Sequence, residues 1–275
     1  MVHPIDGKAH ANDGCQIFYR LYPQPNKPRL VLIHSLALDT SVWDGVIADA
    51  ARDFEILTYD CRGHGQSDRR PGPYSARQFA DDLASLLDHC GWPSAILAGC
   101  SMGGCVVQAF ADAYARRVSA LALIDTTAWY GPAAVENWRK RSEQAAKDGF
   151  RPMLSFQLDR WFGESFRLAH ADRVNALAQV FLANDVACYQ ASCAMLGSED
   201  LRSTLVRIRV PVVVIVGEED FATPVAMAQA LHAGIPGSTL TVISGGRHLT
   251  PVECPEKISA LLGALAQRTV AASVR

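Results

Sequence analysis

The chain has 275 residues, 49% of them apolar and 20% charged, which is enough to bury one substantial core without metals or disulfides. Its formal net charge of -2, with both signs mixed along the chain, provides no extended basic surface for phosphates and argues against nucleic acid as a partner. Met1 to Gly14 carries His3, Asp6, Lys8 and His10 without an apolar run, so no secretory leader is expected, and no later stretch is apolar enough to span a bilayer.

In chain order, runs rich in β-branched and aliphatic residues at Gln16 to Leu21, Arg29 to His34 and Phe54 to Tyr59 predict strands. Phe79, Leu83, Leu86 and Leu87 then form a helical stripe, entered through a capping box of Ser75 and Gln78. Ser94 to Gly99 predicts a strand, Val106, Val107, Phe110 and Tyr114 a helix, and Val118 to Ile124 another strand. The alternation stops near Thr127 and resumes near Val210. The segment between has helical spacing, no strand-like run, and Trp129, Trp138 and Trp161, so it reads as an inserted helical lid. Beyond it, Val210 to Val216 predicts a strand, and Thr223 and Pro224 predict the N-cap and first residue of a helix carrying Met227 and Leu231. Thr239 to Ile243 is the last expected strand, and Ile258, Leu261, Leu262 and Leu265 mark a final helix whose end, Gln267 to Arg275, is expected to fray.

Strands alternating with helices predict an α/β chain with a mostly parallel central sheet, helices on both faces and right-handed crossovers. The expected organisation is one core domain, residues 1–127 and 205–275, interrupted by the lid at 128–204. Eight cysteines without an export leader read as reduced thiols of a cytoplasmic protein, and their spacings match no zinc pattern. No metal and no cofactor is expected.

Gly99-Cys100-Ser101-Met102-Gly103 has the form G-x-S-x-G, directly after an apolar strand and directly before a helix. Such a turn strains the serine backbone, and side chains at positions 99 and 103 would strike the neighbouring strand and helix. A serine hydroxyl needs a base, and the base needs an orienting acid, which in this arrangement follow the serine in the order acid then histidine. Val212 to Gly217 leads into Glu218-Glu219-Asp220, and Thr239 to Ser244 leads into Gly245-Gly246-Arg247-His248. His248 is therefore the expected base, with His34 and His64 assigned to loop structure. Asp220 is the expected acid, with Glu218, Glu219 and above all Asp125, at another strand end, as rivals. The expected oxyanion donors are the backbone amides of Met102 and Leu36.

Together these residues resemble the α/β-hydrolase superfamily over nearly the whole chain, which implies the α/β-hydrolase fold. Asp60-Cys61-Arg62-Gly63-His64-Gly65-Gln66-Ser67-Asp68 is similar to the family's loop after a central strand. Gly72-Pro73-Tyr74-Ser75 and His34-Ser35-Leu36 resemble the 3-oxoadipate enol-lactonase branch, which opens a five-membered enol-lactone in bacterial breakdown of aromatic compounds. Ala37 and Arg247 depart from that branch, where glycine is usual at the first position and commoner at the second; Arg247 would put a cation near the site. The resemblance implies a serine hydrolase acting on a small ester or lactone through an acyl-enzyme. Trp138, Arg139, Arg160 and Trp161 are the lid residues expected to meet substrate, the arginines as partners for its carboxylate. Carboxylesterases, carbon-carbon bond hydrolases and perhydrolases share these motifs, and a ligand-binding receptor with a retained triad is the alternative of another class.

Overall fold

The computed structural model describes residues 3–273. The first two strands, β1 (Ile5–His10) and β2 (Gln16–Tyr22), form an antiparallel hairpin. Next come β3 (Arg29–Ile33), α1 (Asp44–Ala50), β4 (Glu55–Tyr59), α2 (Ala76–His89), β5 (Ala95–Cys100), α3 (Met102–Ala113) and β6 (Val118–Ile124). Five helices follow without a strand: α4 (Ala134–Asp148), α5 (Leu154–Trp161), α6 (Glu164–Ala169), α7 (Ala171–Leu182) and α8 (Val186–Ser198). The short α9 (Arg202–Leu205) leads to β7 (Val212–Gly217), α10 (Val225–Gly234), β8 (Thr239–Ile243), α11 (Thr250–Glu253) and α12 (Pro255–Ser273).

The eight strands form one sheet in the order β1-β2-β4-β3-β5-β6-β7-β8. The pairs β1–β2 and β2–β4 are antiparallel and every other pair is parallel. Almost every residue of β3, β5, β6 and β7 is buried, which is why these segments are continuous apolar runs rather than alternating ones. Helices α1 and α12 pack on each other, and α2 packs on α3, giving two groups with the sheet between them.

All seven expected strands are present, with ends moved by no more than two residues. The eighth, β1, has no apolar signature in Ile5–His10 because it is a largely exposed edge strand paired on one side only. Ser75 caps α2 by accepting the Gln78 amide at 3.1 Å, but the reciprocal half of the expected box is missing, since Gln78 Oε1 has no partner among the described residues. Glu199 caps α2 from a distance instead, accepting the Ala76 amide at 2.8 Å. The final helix runs to Ser273, through most of the stretch Gln267–Arg275; Val274 and Arg275, at the end of that expectation, lie outside the described residues. Between β6 and β7 the two ends of the helical insertion meet, Trp129 bridging to Asp200 and the Leu201 amide donating to Ala128 O at 2.9 Å.

The loop from Asp60 to Asp68 ties the sheet to its surroundings. Arg62, 3% exposed, holds the equally buried Asp82 of α2 with two hydrogen bonds of 2.6 and 2.5 Å, and reaches Asp13 at 2.9 Å. Asp60 accepts the amides of Thr40 at 2.9 Å and Gln66 at 2.8 Å, while Asp68 accepts the Gln16 amide at 3.0 Å. Removing one partner of a buried ion pair leaves the other charge uncompensated. Arg62→Met is therefore expected to lower stability by about 3–5 kcal/mol in urea unfolding. A loss below about 1 kcal/mol, the scale of an exposed pair, would show that this pair does not anchor the loop.

Candidate active site

Ser101 sits between the end of β5 and the start of α3 with φ 54° and ψ -113°, a conformation L side chains rarely adopt and one that costs on the order of 1–3 kcal/mol. Three glycines allow it. A Cβ on Gly99 would lie 2.2 Å from Gly103 O, one on Gly103 would lie 2.3 Å from Ile33 O, and one on Gly104 would lie 2.4 Å from the Thr126 side chain. The turn is pinned to β6, because the Ser101 amide donates to Ile124 O at 2.9 Å and the Thr126 hydroxyl donates to Ser101 O at 2.7 Å.

Two further strand ends converge on this hydroxyl. Ser101 Oγ is 2.9 Å from His248 Nε2, and His248 Nδ1 is 2.8 Å from Asp220 Oδ2. All three residues are at most 5% exposed. Asp220 Oδ1 accepts the amides of Ala222 at 2.7 Å and Thr223 at 2.9 Å, and the Thr223 hydroxyl donates to Oδ2 at 2.8 Å. Burial pushes the Asp220 carboxyl upward, but attraction to His248 and the bonds from His248 and Thr223 outweigh it, leaving its pKa below the ordinary value. Thr223 is thus occupied with the carboxylate and does not cap α10. Pro224 takes the N-cap position in extended conformation and the helix begins at Val225, one residue later than expected.

The rival carboxylates are engaged elsewhere. Asp125 Oδ1 accepts the Gly217 amide at 3.1 Å, and Oδ2 accepts the Thr250 amide at 2.9 Å and hydroxyl at 2.7 Å, so it knits β6, β7 and α11 together behind the histidine loop. Burial and the nearby Asp220 push its pKa well up. Glu218 is exposed and accepts from Ser244 and Gly245, and the exposed Glu219 pairs with Arg247 at 3.4 Å. His34 accepts the Cys61 amide on Nε2 at 2.9 Å, which makes Nδ1 the donor to Ser35 O at 2.7 Å. It thereby joins the loop after β3 to the Asp60–Asp68 loop. His64 lies beside it, ring centroids 5.2 Å apart, and burial together with His34 pushes its pKa down to about 3.

Among the described residues, neither the Leu36 nor the Met102 amide has an acceptor. Met102 is the first residue of α3, where amides have no intrahelical partner and the helix dipole favours negative charge. Ala37, next to Leu36, has φ 60°, the region glycine occupies without strain, and its carbonyl is held by Asn184 Nδ2 at 2.8 Å.

A cavity of about 270 Å³ is lined by Tyr130, Trp138, Arg141, Arg160, Ala222 and Met227 among others, and it borders the three residues through Ala222, whose amide donates to Asp220, and through Tyr130, whose phenol neighbours the Ser101 hydroxyl. Trp138 is 8% exposed and meets Tyr130 edge-on at 5.2 Å. Arg160 is half-buried and makes no hydrogen bond or ion pair among the described residues; burial and repulsion from Arg141 push its pKa down to about 10. Arg141 donates to the Tyr189 hydroxyl at 2.6 Å and to Gln157, neither of them a carboxylate. Burial holds the Tyr130 phenol well above its ordinary pKa; the Cys105 thiol adds to this, while Arg160 and the Ser101 hydroxyl oppose it.

Two expected substrate residues are not at this cavity. Arg139 is on the outer face of α4, 51% exposed and paired with Glu136 at 2.8 Å and Glu143 at 2.5 Å. Trp161, 1% exposed, packs edge-on against Phe162 and Phe181 inside the insertion. Helical spacing carries the reason for the first correction: Arg139 shares a face with Glu136 and Glu143, whereas Arg141 shares one with Trp138. Arg141 and Tyr130 were not anticipated, although the three-residue step from Trp138 marks Arg141. Arg247 turns toward the insertion and Glu219 and is not part of the cavity lining. Among the described residues no group of three or more histidine, cysteine or acidic side chains could hold a metal ion, and no helix is long and apolar enough to cross a membrane.

A central parallel sheet with a strained serine turn at its middle strand is the architecture of an α/β hydrolase. The chain belongs to the alpha/beta hydrolase fold family, whose model matches residues 28–255. It is 32% identical to 3-oxoadipate enol-lactonase 2 of Acinetobacter baylyi over 91% of this chain and 92% of that one. The crystal structure of the enol-lactonase from Burkholderia xenovorans superposes with a TM-score of 0.90 at 29% identity, covering 95% of this chain and all of that one. A thermophilic esterase from Thermogutta terrifontis, in a malate-bound structure, superposes with a TM-score of 0.87 at 27% identity, covering 97% and 99% of the two chains.

The two buried carboxylates should respond differently to loss of charge. Asp220→Asn is expected to reduce kcat for an ester substrate by about 10³–10⁴-fold, since the amide would favour the wrong imidazole tautomer. Asp125→Asn replaces one acceptor oxygen by a donor facing an N–H, which should cost about 1–3 kcal/mol in unfolding while sparing most turnover. A larger kcat loss at Asp125 than at Asp220 would exchange their roles.

Proposed function

We propose that this carboxylic ester hydrolase opens a small lactone carrying a carboxylate, as a 3-oxoadipate enol-lactonase-like enzyme of cytoplasmic aromatic-compound breakdown. The observation that carries the reading is the half-buried Arg160 guanidinium, unpaired among the described residues, with Arg141 beside it in a cavity whose wall includes Tyr130, the neighbour of the Ser101 hydroxyl. Two cations with no carboxylate in direct contact, Asp220 acting on Arg160 only from a distance, favour an anionic ligand in a partly desolvated cavity, because a substrate carboxylate would supply the direct ion pair. Resemblance to the enol-lactonases supports the lactone in particular.

In this mechanism Ser101 Oγ attacks the ring carbonyl while His248 Nε2 takes its proton, and Asp220 stabilises the imidazolium and fixes its tautomer. The tetrahedral oxyanion is met by the Leu36 and Met102 amides. Collapse breaks the ring C–O bond, and the enolate oxygen receives the proton from His248 while remaining attached to the acyl chain. Water then attacks the acyl-enzyme, giving a proton to His248, and the second collapse returns that proton to Ser101 Oγ and releases the opened acid. No metal and no cofactor enters these steps.

The test compares 3-oxoadipate enol-lactone with its methyl ester, which masks the carboxylate, and with p-nitrophenyl acetate. Wild-type protein should prefer the free acid in kcat/KM, Ser101→Ala should lose all three activities, and Arg160→Met should lose about 10–100-fold on the free acid alone, the worth of one charged hydrogen bond. Rapid cleavage of p-nitrophenyl acetate with no lactone turnover would leave an esterase for uncharged substrates.

A further inference from the structure

The residues on either side of Arg160 are hydrogen-bonded to the residues on either side of His248. Arg247 Nη1 donates to Asp159 O at 2.6 Å, and the Leu249 amide donates to Trp161 O at 3.3 Å. A third tie runs through Glu253, whose Oε2 accepts the Arg247 amide at 2.6 Å and whose Oε1 accepts the Gly163 amide at 2.8 Å. The Arg247 guanidinium also lies 3.4 Å from Glu219 and 5.8 Å from the Phe221 ring centre, on the two sides of Asp220 in sequence. One side chain therefore touches the end of α5, the loop of the acid and, through its own backbone, the loop of the histidine.

We propose that Arg247 is a positioning residue that sets the Arg160 guanidinium relative to His248 and Ser101, and so gives the enzyme its preference for a carboxylate at a fixed distance from the scissile carbonyl. The proposal rests on the carboxylate reading above. Its physical basis is reach. A guanidinium on a long side chain at a helix end selects an anion at one distance only if the backbone beneath it is held to within about half an ångström. Asp159 and Trp161 supply that backbone, the Asp159 carbonyl accepting from the Arg247 side chain and the Trp161 carbonyl from the Leu249 amide. His248 itself is held by Asp220 and does not depend on Arg247 for its tautomer.

The test is a double-mutant cycle on Arg247→Met and Arg160→Met, reading the ratio of kcat/KM for the enol-lactone to that for its methyl ester, with kcat and KM resolved separately. Methionine keeps the aliphatic stem against Phe221 and removes the donor; Arg247→Gln is the second variant should Arg247→Met fail to fold. Arg247→Met is expected to lower the ratio about tenfold, chiefly through KM of the free acid, and to change it by less than about twofold when Arg160 is already methionine, the non-additivity of residues that act as one unit. An unchanged ratio in Arg247→Met, with the ratio lost in Arg160→Met, would overturn the positioning role and leave the carboxylate reading intact. An equal loss in both backgrounds would overturn it as well, because Arg247 would then act independently of Arg160. No preference for the free acid in wild-type protein would refute the carboxylate reading and this proposal with it.

Discussion

The close approach of main chain to main chain at Gly99 and Gly103, and of the Thr126 side chain to Gly104, is the constraint from which the rest of the site follows. With no Cβ at these positions, α3 starts immediately against β3, β5 and the end of β6, and the chain can leave β5 only through a turn that puts Ser101 at positive φ. The strain at that residue, on the order of 1–3 kcal/mol, is offset by the packing it permits. The same turn places the Met102 amide at the first position of a helix, where it lacks an internal acceptor. The position of the Ser101 hydroxyl and the unpaired Met102 amide therefore share one cause.

Electrostatics divides the two buried carboxylates between different tasks. Asp220 and Asp125 are both buried and each surrounded by donors, and the nearby Asp220 helps to push the Asp125 pKa up. Asp220 directs one oxygen at His248 and keeps it there with Thr223, whereas Asp125 spends every bond on the backbone and side chain of neighbouring elements. On the other side of the cavity, Arg141 and Arg160 crowd two positive charges against Trp138 and Tyr130. The helical insertion contributes charge and shape, and the sheet contributes the reacting groups.

The fold was legible because buried parallel strands are continuous apolar runs and because the glycine pattern around Ser101 is required by contacts under 3 Å. Edge strand β1 was not, since an exposed strand paired on one side needs no apolar signature. In the insertion, Trp138 and Arg160 of the four expected residues line the cavity, and Arg139 and Trp161 do not. Arg139 follows Trp138 in sequence, but adjacent residues on a helix point about 100° apart and do not share a surface. Trp161 is buried within the insertion, its ring packed against Phe162 and Phe181.

The sequence by itself determined the element order and the strained serine turn, because these are local: each depends on residues within a few positions of one another. Only the tertiary structure decided which carboxylate faces His248, which arginines enter the cavity and where Arg247 is spent. Those outcomes depend on distances between segments 30 to 150 residues apart, set by how the insertion closes on the sheet rather than by any pattern along the chain.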